Sequence, residues 1–240
     1  MNTLEKQPPP GFLECNWTDR LRRPIKHDRI YWHLTLLAEK IRSIAESELL
    51  RPGDKLLDFG CGAKPYRELF ISKFPTFIGA DLPGNPEADI VLGAMSEVPV
   101  AADSFDCVLS TEVLEHTELP EAYLAEAYRV LKPGGFLVLS APAIWVYHPD
   151  PIDYWRWPID GLSFRIRNAG FEILLVKSVF GPESSALQLW QDSTFERLPQ
   201  FMRRSYTGFI QFLIGRIEKR QPDKLSPNGS GYVILAKKES

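Results

Sequence analysis

"LLDFGCGAKPY", residues 56–66, decides the fold. Leu56 to Phe59 is a short apolar run beside turn-forming residues, which reads as a buried strand. Gly60 and Gly62 follow at once. Two glycines this close make a tight turn, because neither carries a Cβ that would forbid a left-handed backbone. A helical pattern opens at Pro65, a residue tolerated in the first turn of a helix. Strand, glycine turn and helix, in that order, open a βαβ unit and hence a parallel sheet.

The same alternation continues on both sides. "TFIGAD" (76–81) reads as a second strand, 88–92 as a third and 105–110 as a fourth. Pro120 to Leu131 is helical and is stopped by "KPGG", after which "FLVLSAP" (136–142) is a fifth strand. A helix over 159–169 ends at Gly170. "FEILLVKSV" (171–179) and "GYVILAKK" (231–238) are the last two strands. Upstream, Ile30, Leu34, Leu37, Ile41 and Ile44 recur at spacings of four and three, which predicts an amphipathic helix reaching about Leu50. Strand after helix after strand implies an α/β fold whose parallel sheet is covered on both faces, a Rossmann-like three-layer sandwich. The expected organisation is an arm over 1–29 and one domain over 30–240, with a helical insertion at about 181–228.

Composition narrows the function. A hydrophobic fraction of 44% allows a real core, and a formal net charge of -3 gives no global attraction to nucleic acid, so no nucleic-acid partner is expected. The three cysteines, Cys15, Cys61 and Cys107, are scattered, with no CxxC and no zinc-ligand spacing to histidine. No metal site is predicted. The first residues lack the apolar run of a signal peptide, and no stretch is apolar enough to span a membrane. A cytoplasmic protein is the expectation.

In an open parallel sheet, ligands bind beyond the carboxyl ends of the strands. Asp58 closes the first strand there, and Asp81 closes the second roughly 20 residues on, suited to ribose hydroxyls. A dinucleotide site wants a third glycine at the helix N-terminus for its pyrophosphate, and that position is Pro65. S-adenosylmethionine has no phosphate, and its cationic tail favours a carboxylate such as Asp58. The methyl donor therefore fits the motif better than NAD, although an NAD-dependent oxidoreductase remains an alternative.

Three blocks, "LLDFGCG", "VPVAADSFDCVLSTEVLEH" and "AYRVLKPGGFLVLSAP", resemble the class I S-adenosylmethionine-dependent methyltransferases of the type 11 group, over residues 55–180. The resemblance implies a seven-stranded sheet whose antiparallel last strand lies beside the sixth. It implies S-adenosylmethionine as cofactor, with Gly60, Cys61 and Gly62 at the amino-acid tail and Asp58 steadying that loop. Asp81 would take the ribose hydroxyls, Met95 would lie against adenine, and Ser110, Thr111 and Glu112 would close strand four under the methionine tail. Many relatives have an acid at the end of strand three where this chain has Ala94. A non-catalytic member of the same fold is a further alternative.

The loop "WVYHPDPIDYWRWP" (145–158) follows the fifth strand, where an acceptor would sit. Its prolines exclude a helix interior, and its rings suit a pocket wall. His148 is the candidate base, Tyr154 and Arg156 are candidate acceptor contacts, Asp153 orients them, and Trp155 or Trp157 packs inward. His116 is expected to cap or orient the helix after strand four. HPxxDYxR loops resemble those of methyltransferases found with surface-polysaccharide enzymes. That resemblance implies methylation of an oxygen on a small-molecule or glycan acceptor. In the insertion, Phe209, Phe212, Leu213 and Ile217 are expected on one packed helical face, flanked by basic residues. A second reading of about 203–220 is an interfacial helix making peripheral contact with an anionic membrane. No oligomeric state follows from the sequence.

Overall fold

The computed structural model describes residues 24–26, 28–149, 152–220 and 224–239. Most of the expected arm, with Cys15, and also Asp150 lie outside them. The elements run α1 (Tyr31–Ala45), β1 (Lys55–Phe59), α2 (Arg67–Phe70), β2 (Thr76–Asp81), β3 (Ile90–Val91) and β4 (Phe105–Thr111). Then come α3 (Pro120–Val130), β5 (Leu131–Pro142), α4 (Ile159–Asn168), β6 (Phe171–Ser178), α5 (Pro182–Phe195), α6 (Gln200–Glu218) and β7 (Gly231–Lys238).

The strands form one seven-stranded sheet in the order β3-β2-β1-β4-β5-β7-β6. Every pairing among β1 to β5 is parallel, and β7 runs antiparallel to both β5 and β6. This is the α/β architecture expected from the strand–helix alternation, with the antiparallel last strand in place.

Each face of the sheet has its own core. On one, Phe59, Leu139 and Ala141 pack against Tyr123 and Leu124 of α3 and Leu162 and Ile166 of α4. On the other, Leu56, Leu109 and Val138 meet Leu37, Ile41 and Ile44 of α1 and Ile210 and Ile214 of α6. A strand covered on both faces must be apolar at successive positions, which is why β1 reads as a run rather than an alternation. Each such fully buried side chain contributes about 1.5–3 kcal/mol.

Several boundaries differ from expectation for physical reasons. The helix expected to open at Pro65 is a single turn, Arg67–Phe70, and past it Lys73 gives its ammonium to the carbonyls of Ser47 (2.6 Å) and Leu50 (2.7 Å). The third strand shrinks to Ile90–Val91. Strand β5 starts at Leu131 rather than after the glycines, carrying "KPGG" across an irregularity in its register with β4.

The expected face of α6 is also corrected. Thr207, Ile210, Gln211 and Ile214 are buried, whereas Phe209 and Phe212 point to solvent. Gln211 explains this choice: its amide reaches the carbonyl of Arg29 (2.7 Å) and its oxygen accepts from the Trp32 N–H (3.1 Å), locking α6 to α1 by that face. No described helix is long and apolar enough to cross a membrane.

Candidate functional site

The parallel strands β1, β2, β4 and β5 bring Phe59, Asp81, Thr111 and Pro142 to one edge of the sheet. The candidate site lies along that edge, in two parts.

The first part surrounds the glycine turn. Gly60 has φ +79°, and a Cβ there would stand 2.5 Å from Val113, so only glycine fits. Gly62 has φ +48°, and the space its missing side chain leaves is open. Its N–H donates to Asp81 Oδ2 (2.8 Å), which also accepts from Asn85 Nδ2 (2.7 Å), while Oδ1 accepts from the Leu82 N–H (2.7 Å). Asn85 also donates to the Gly62 carbonyl (2.7 Å). Asp81 thus pins the turn and still presents its carboxylate at the edge. Asn85 is a member that sequence reasoning missed, since a loop asparagine carries no signal of its own.

Behind the turn, Asp58 is buried, and its Oδ2 accepts no hydrogen bond among the described residues. Burial raises its pKa well above the usual carboxylate range, and the neighbouring Asp81 adds to the shift while Lys64 opposes it. The Tyr66 hydroxyl is likewise buried without a partner. A buried acceptor and a buried donor left unsatisfied beside an open glycine cradle are the signature of a place meant to be filled.

Other expected cofactor contacts sit differently. The Cys61 side chain is buried against Gly79 in β2, and its N–H donates to the Ala80 carbonyl (3.1 Å), so it turns toward the sheet rather than outward. Ser110 lies in the core, its hydroxyl 2.8 Å from that of Tyr123, which in turn donates to the Phe59 carbonyl. Thr111 is half-buried at the end of β4. Met95 is 73% exposed in a short 3-10 turn with φ +54°. It is therefore no core residue, and its side chain is free to lie against a ligand. Ala94 opens the same turn.

The second part is built from the turn after β4 and the loop after β5. Glu112 has φ +54° and accepts from the Ser140 hydroxyl (2.8 Å). A left-handed glutamate is strained and persists only where neighbours hold it. Burial raises its pKa, with the nearby Glu115 charge adding to the shift. Glu115 itself is fully buried with no hydrogen bond to either carboxylate oxygen among the described residues, and burial raises its pKa as well.

The aromatic loop is strapped over Glu115: the N–H groups of Tyr154 (2.9 Å) and Trp155 (3.3 Å) both donate to the Glu115 carbonyl. Trp157 is the ring that packs inward, and Trp155 stacks on it at 5.7 Å while donating its indole N–H to Thr117. Tyr154 is exposed.

Arg156 corrects the sequence reading. Its guanidinium binds both oxygens of Asp153 (2.5 Å each) and the carbonyls of Trp145, Val146 and Trp155. With its donors turned inward, it is the clamp of the loop rather than an acceptor contact. Burial alone would raise the pKa of Asp153, but the bonds from Arg156 and the His148 N–H outweigh that and hold it low. His148 therefore hangs from Asp153 through its backbone (2.9 Å), with its ring over Glu115. His116 is also corrected: it caps no helix but holds the aromatic loop, its Nδ1 2.7 Å from the Ile152 carbonyl.

Residues 57–139 match the family model described as a methyltransferase domain. They contain the glycine turn, Asp81 and the Glu112–His116 turn, on the sheet order given above. The chain carries a class I methyltransferase domain. Over 124 residues this methyltransferase domain is 33% identical to the ubiquinone biosynthesis O-methyltransferase of Cereibacter sphaeroides, covering 45% of this chain and 50% of that protein. The erythromycin 3''-O-methyltransferase of Saccharopolyspora erythraea is 26% identical over 197 residues, 67% of this chain and 63% of that one. The chain spans about half the length of the curated relatives it matches.

Among solved structures, the [4+2]-cyclase SpnF superposes on the methyltransferase domain with a TM-score of 0.54 at 20% identity, covering 84% of this chain and 81% of that one. The 1,6-didemethyltoxoflavin-N1-methyltransferase of Burkholderia thailandensis does so with 0.55 at 18% identity, covering 85% and 78%. At such identities the likeness speaks for the fold alone.

Proposed function

We propose that the protein is an S-adenosylmethionine-dependent methyltransferase acting on an oxygen of a small molecule or glycan. The observation that carries this reading is the buried Asp58 Oδ2, which accepts no hydrogen bond among the described residues, behind an open Gly60–Gly62 turn that lacks a third glycine. That pocket suits a cation-bearing amino-acid tail and offers no cradle for a pyrophosphate. When bound, S-adenosylmethionine supplies a methyl group already activated by its sulfonium.

The chain's own work is alignment and exclusion of water, and alignment alone can be worth about 7–11 kcal/mol of a barrier. Asp81 receives the ribose hydroxyls with the lone pairs left over from Gly62, Leu82 and Asn85. Met95 lies against adenine, and backbone groups of its turn take the place of the acid that Ala94 does not supply. Asp58 and Tyr66 meet the charged tail. At the acceptor end, Tyr154 and Trp155 form the wall and His148 faces the incoming hydroxyl. The O-methyltransferase names of the two relatives support an oxygen acceptor.

Calorimetric titration of the full chain with S-adenosylhomocysteine and with NAD tests the cofactor, and a screen of hydroxylated acceptors with a labelled methyl donor tests the reaction. Binding of S-adenosylhomocysteine with labelled product is the expected outcome. Tight NAD binding with none of the methyl-donor product would overturn the reading. Retained cofactor binding with no turnover on any acceptor would instead favour a non-catalytic role.

A further inference from the structure

Glu115, His116 and His148 converge on one point. Their ligand atoms all lie within 4.8 Å of one another: Glu115 Oε1 is 3.6 Å from His116 Nε2 and 3.7 Å from His148 Nε2. The two imidazoles stand nearly perpendicular, at 84° with centroids 5.1 Å apart, so their ring edges converge instead of stacking. Ligands sharing a first-row cation, with bonds near 2.0–2.1 Å, are separated by about 2.9–3.4 Å. Closing this trio onto an ion takes shifts of a few tenths of an ångström between Glu115 and each histidine, and of up to about 1.4 Å between the two imidazoles, within reach of small ring rotations.

Two independent features point to an occupant. Both carboxylate oxygens of Glu115 are buried and without a hydrogen bond among the described residues, an arrangement that costs free energy unless something else satisfies them. The far nitrogens of the histidines, meanwhile, are already assigned. His116 Nδ1 donates to the Ile152 carbonyl at 2.7 Å, which leaves the Nε2 lone pair turned toward Glu115. His148 Nδ1 lies against two acceptors, the Val146 carbonyl (3.1 Å) and Asp153 Oδ2 (3.4 Å); Arg156 Nη2, at 3.3 Å, already gives its hydrogens to those same two acceptors. A ligand histidine held at its outer nitrogen by a carbonyl or carboxylate is the usual outer shell of a metal site. Two imidazolium ions facing Glu115 are the competing arrangement. At 3.6 and 3.7 Å they would be too far to hydrogen-bond it and would leave its oxygens unsatisfied.

We propose that Glu115, His116 and His148 bind one divalent first-row transition cation, leaving coordination positions open toward the acceptor. The imidazole and carboxylate donors suit zinc, iron(II), manganese or cobalt rather than calcium. The side chains of His116 and His148 are 14% and 28% exposed, so the site can be reached from the edge where the acceptor would lie. What the cation does rests on the methyl-transfer reading: it would take the acceptor oxygen as a ligand and lower its pKa, so that the proton passes to bulk water and the oxygen takes the methyl group while the thioether S-adenosylhomocysteine leaves. In that role His148 is a ligand and not a free base. The binding itself does not depend on that reading.

The test is a Co²⁺ titration of the chelator-treated full chain, followed by its visible absorption, beside a separate S-adenosylhomocysteine titration. One equivalent of Co²⁺ should bind and be displaced by Zn²⁺. His116→Ala, His148→Ala and the near-isosteric Glu115→Gln should each weaken it by ~100-fold or more, beyond what loss of an outer-shell partner costs. Circular dichroism of each variant separates loss of a ligand from loss of the fold. No saturable Co²⁺ binding in the parent chain, or undiminished binding in a folded His116→Ala/His148→Ala double variant, would overturn the site. Co²⁺ binding without S-adenosylhomocysteine binding would instead retire the methyl-transfer reading and leave the cation site standing.

Discussion

Two segments leave the same edge of the sheet and are built by opposite means. The turn after β1 is short and shaped by glycine, and its own backbone N–H groups hold it: Gly60 and Cys61 donate to the Ala80 carbonyl, and Gly62 to the Asp81 carboxylate. The loop after β5 is long and rich in rings. Charged side chains hold it, above all Arg156 closed on Asp153, and His116 ties it down at Ile152. Backbone bonding fixes a surface that a common cofactor can use. Side-chain clamping lets sequence alter the loop while the sheet stays unchanged, which suits a region that must fit a particular acceptor.

That contrast can be broken by substitution, and the largest effect is expected at the glycine turn. Gly60→Val forces a β-branched residue into a left-handed backbone against Val113. The two penalties together amount to about 2–5 kcal/mol. Chemical denaturation should show this loss, and S-adenosylhomocysteine binding should vanish. A variant as stable and as well saturated as the parent would mean the turn is not glycine-shaped.

Arg156→Leu attacks the other region. Removing one partner of a buried pair costs about 3–5 kcal/mol, and partial exposure of the arginine reduces this to about 2–3. Near-UV circular dichroism from Trp145, Trp155 and Trp157 should collapse and acceptor turnover should fall, while S-adenosylhomocysteine affinity stays within a few-fold. Equal loss of both functions would show that the two regions are one unit.

Asp81→Ala sharpens the boundary from the first side. Cofactor affinity should drop by about 1–3 kcal/mol, through stranded ribose hydroxyls and a Gly62 N–H left unpaired. Unchanged affinity by calorimetry would remove Asp81 from the ribose site.

Smallest near neutral pH, and growing only as acid is added, is the effect of what lies beneath the loop. His33 is buried, stacked on Trp145 at 4.0 Å, and burial, with His148 adding to it, lowers its pKa to about 3. An unfolded histidine takes up its proton near pH 6.5, so the folded state loses stability as pH falls from there toward 3. The slope is at most about 1.4 kcal/mol per pH unit. His33→Gln should flatten this part of the denaturation–pH profile. An identical slope in that variant would assign the acid sensitivity to other groups.

How much was legible in the sequence follows from which interactions are local. Leu56 to Phe59 with Gly60 and Gly62 announced a buried strand and a positive-φ turn, since both are set within a few residues. The alternation of strand and helix gave the covered parallel sheet in the same way, and Asp81 was found because strand ends are readable. The faces of α6 were misjudged. Phe209 and Phe212 have the greater hydrophobicity, but Gln211 has the partner, Arg29, and only tertiary contact reveals a partner. Arg156 looked like a free contact because its nearness to Asp153 does not say that its remaining donors would close on three carbonyls.

Sequence by itself thus determined the α/β sheet, the glycine turn and the carboxylates at strand ends, because backbone geometry and burial periodicity are properties of short segments. Tertiary structure alone decided that the Glu115 carboxyl would be buried between His116 and His148 without a hydrogen bond among the described residues. His116 is its neighbour in the chain, but His148 comes from a different strand's loop, and distance across a fold is not written in spacing along it. The buried carboxyl meets His148 only once the Arg156–Asp153 clamp has brought that loop down over the turn after β4.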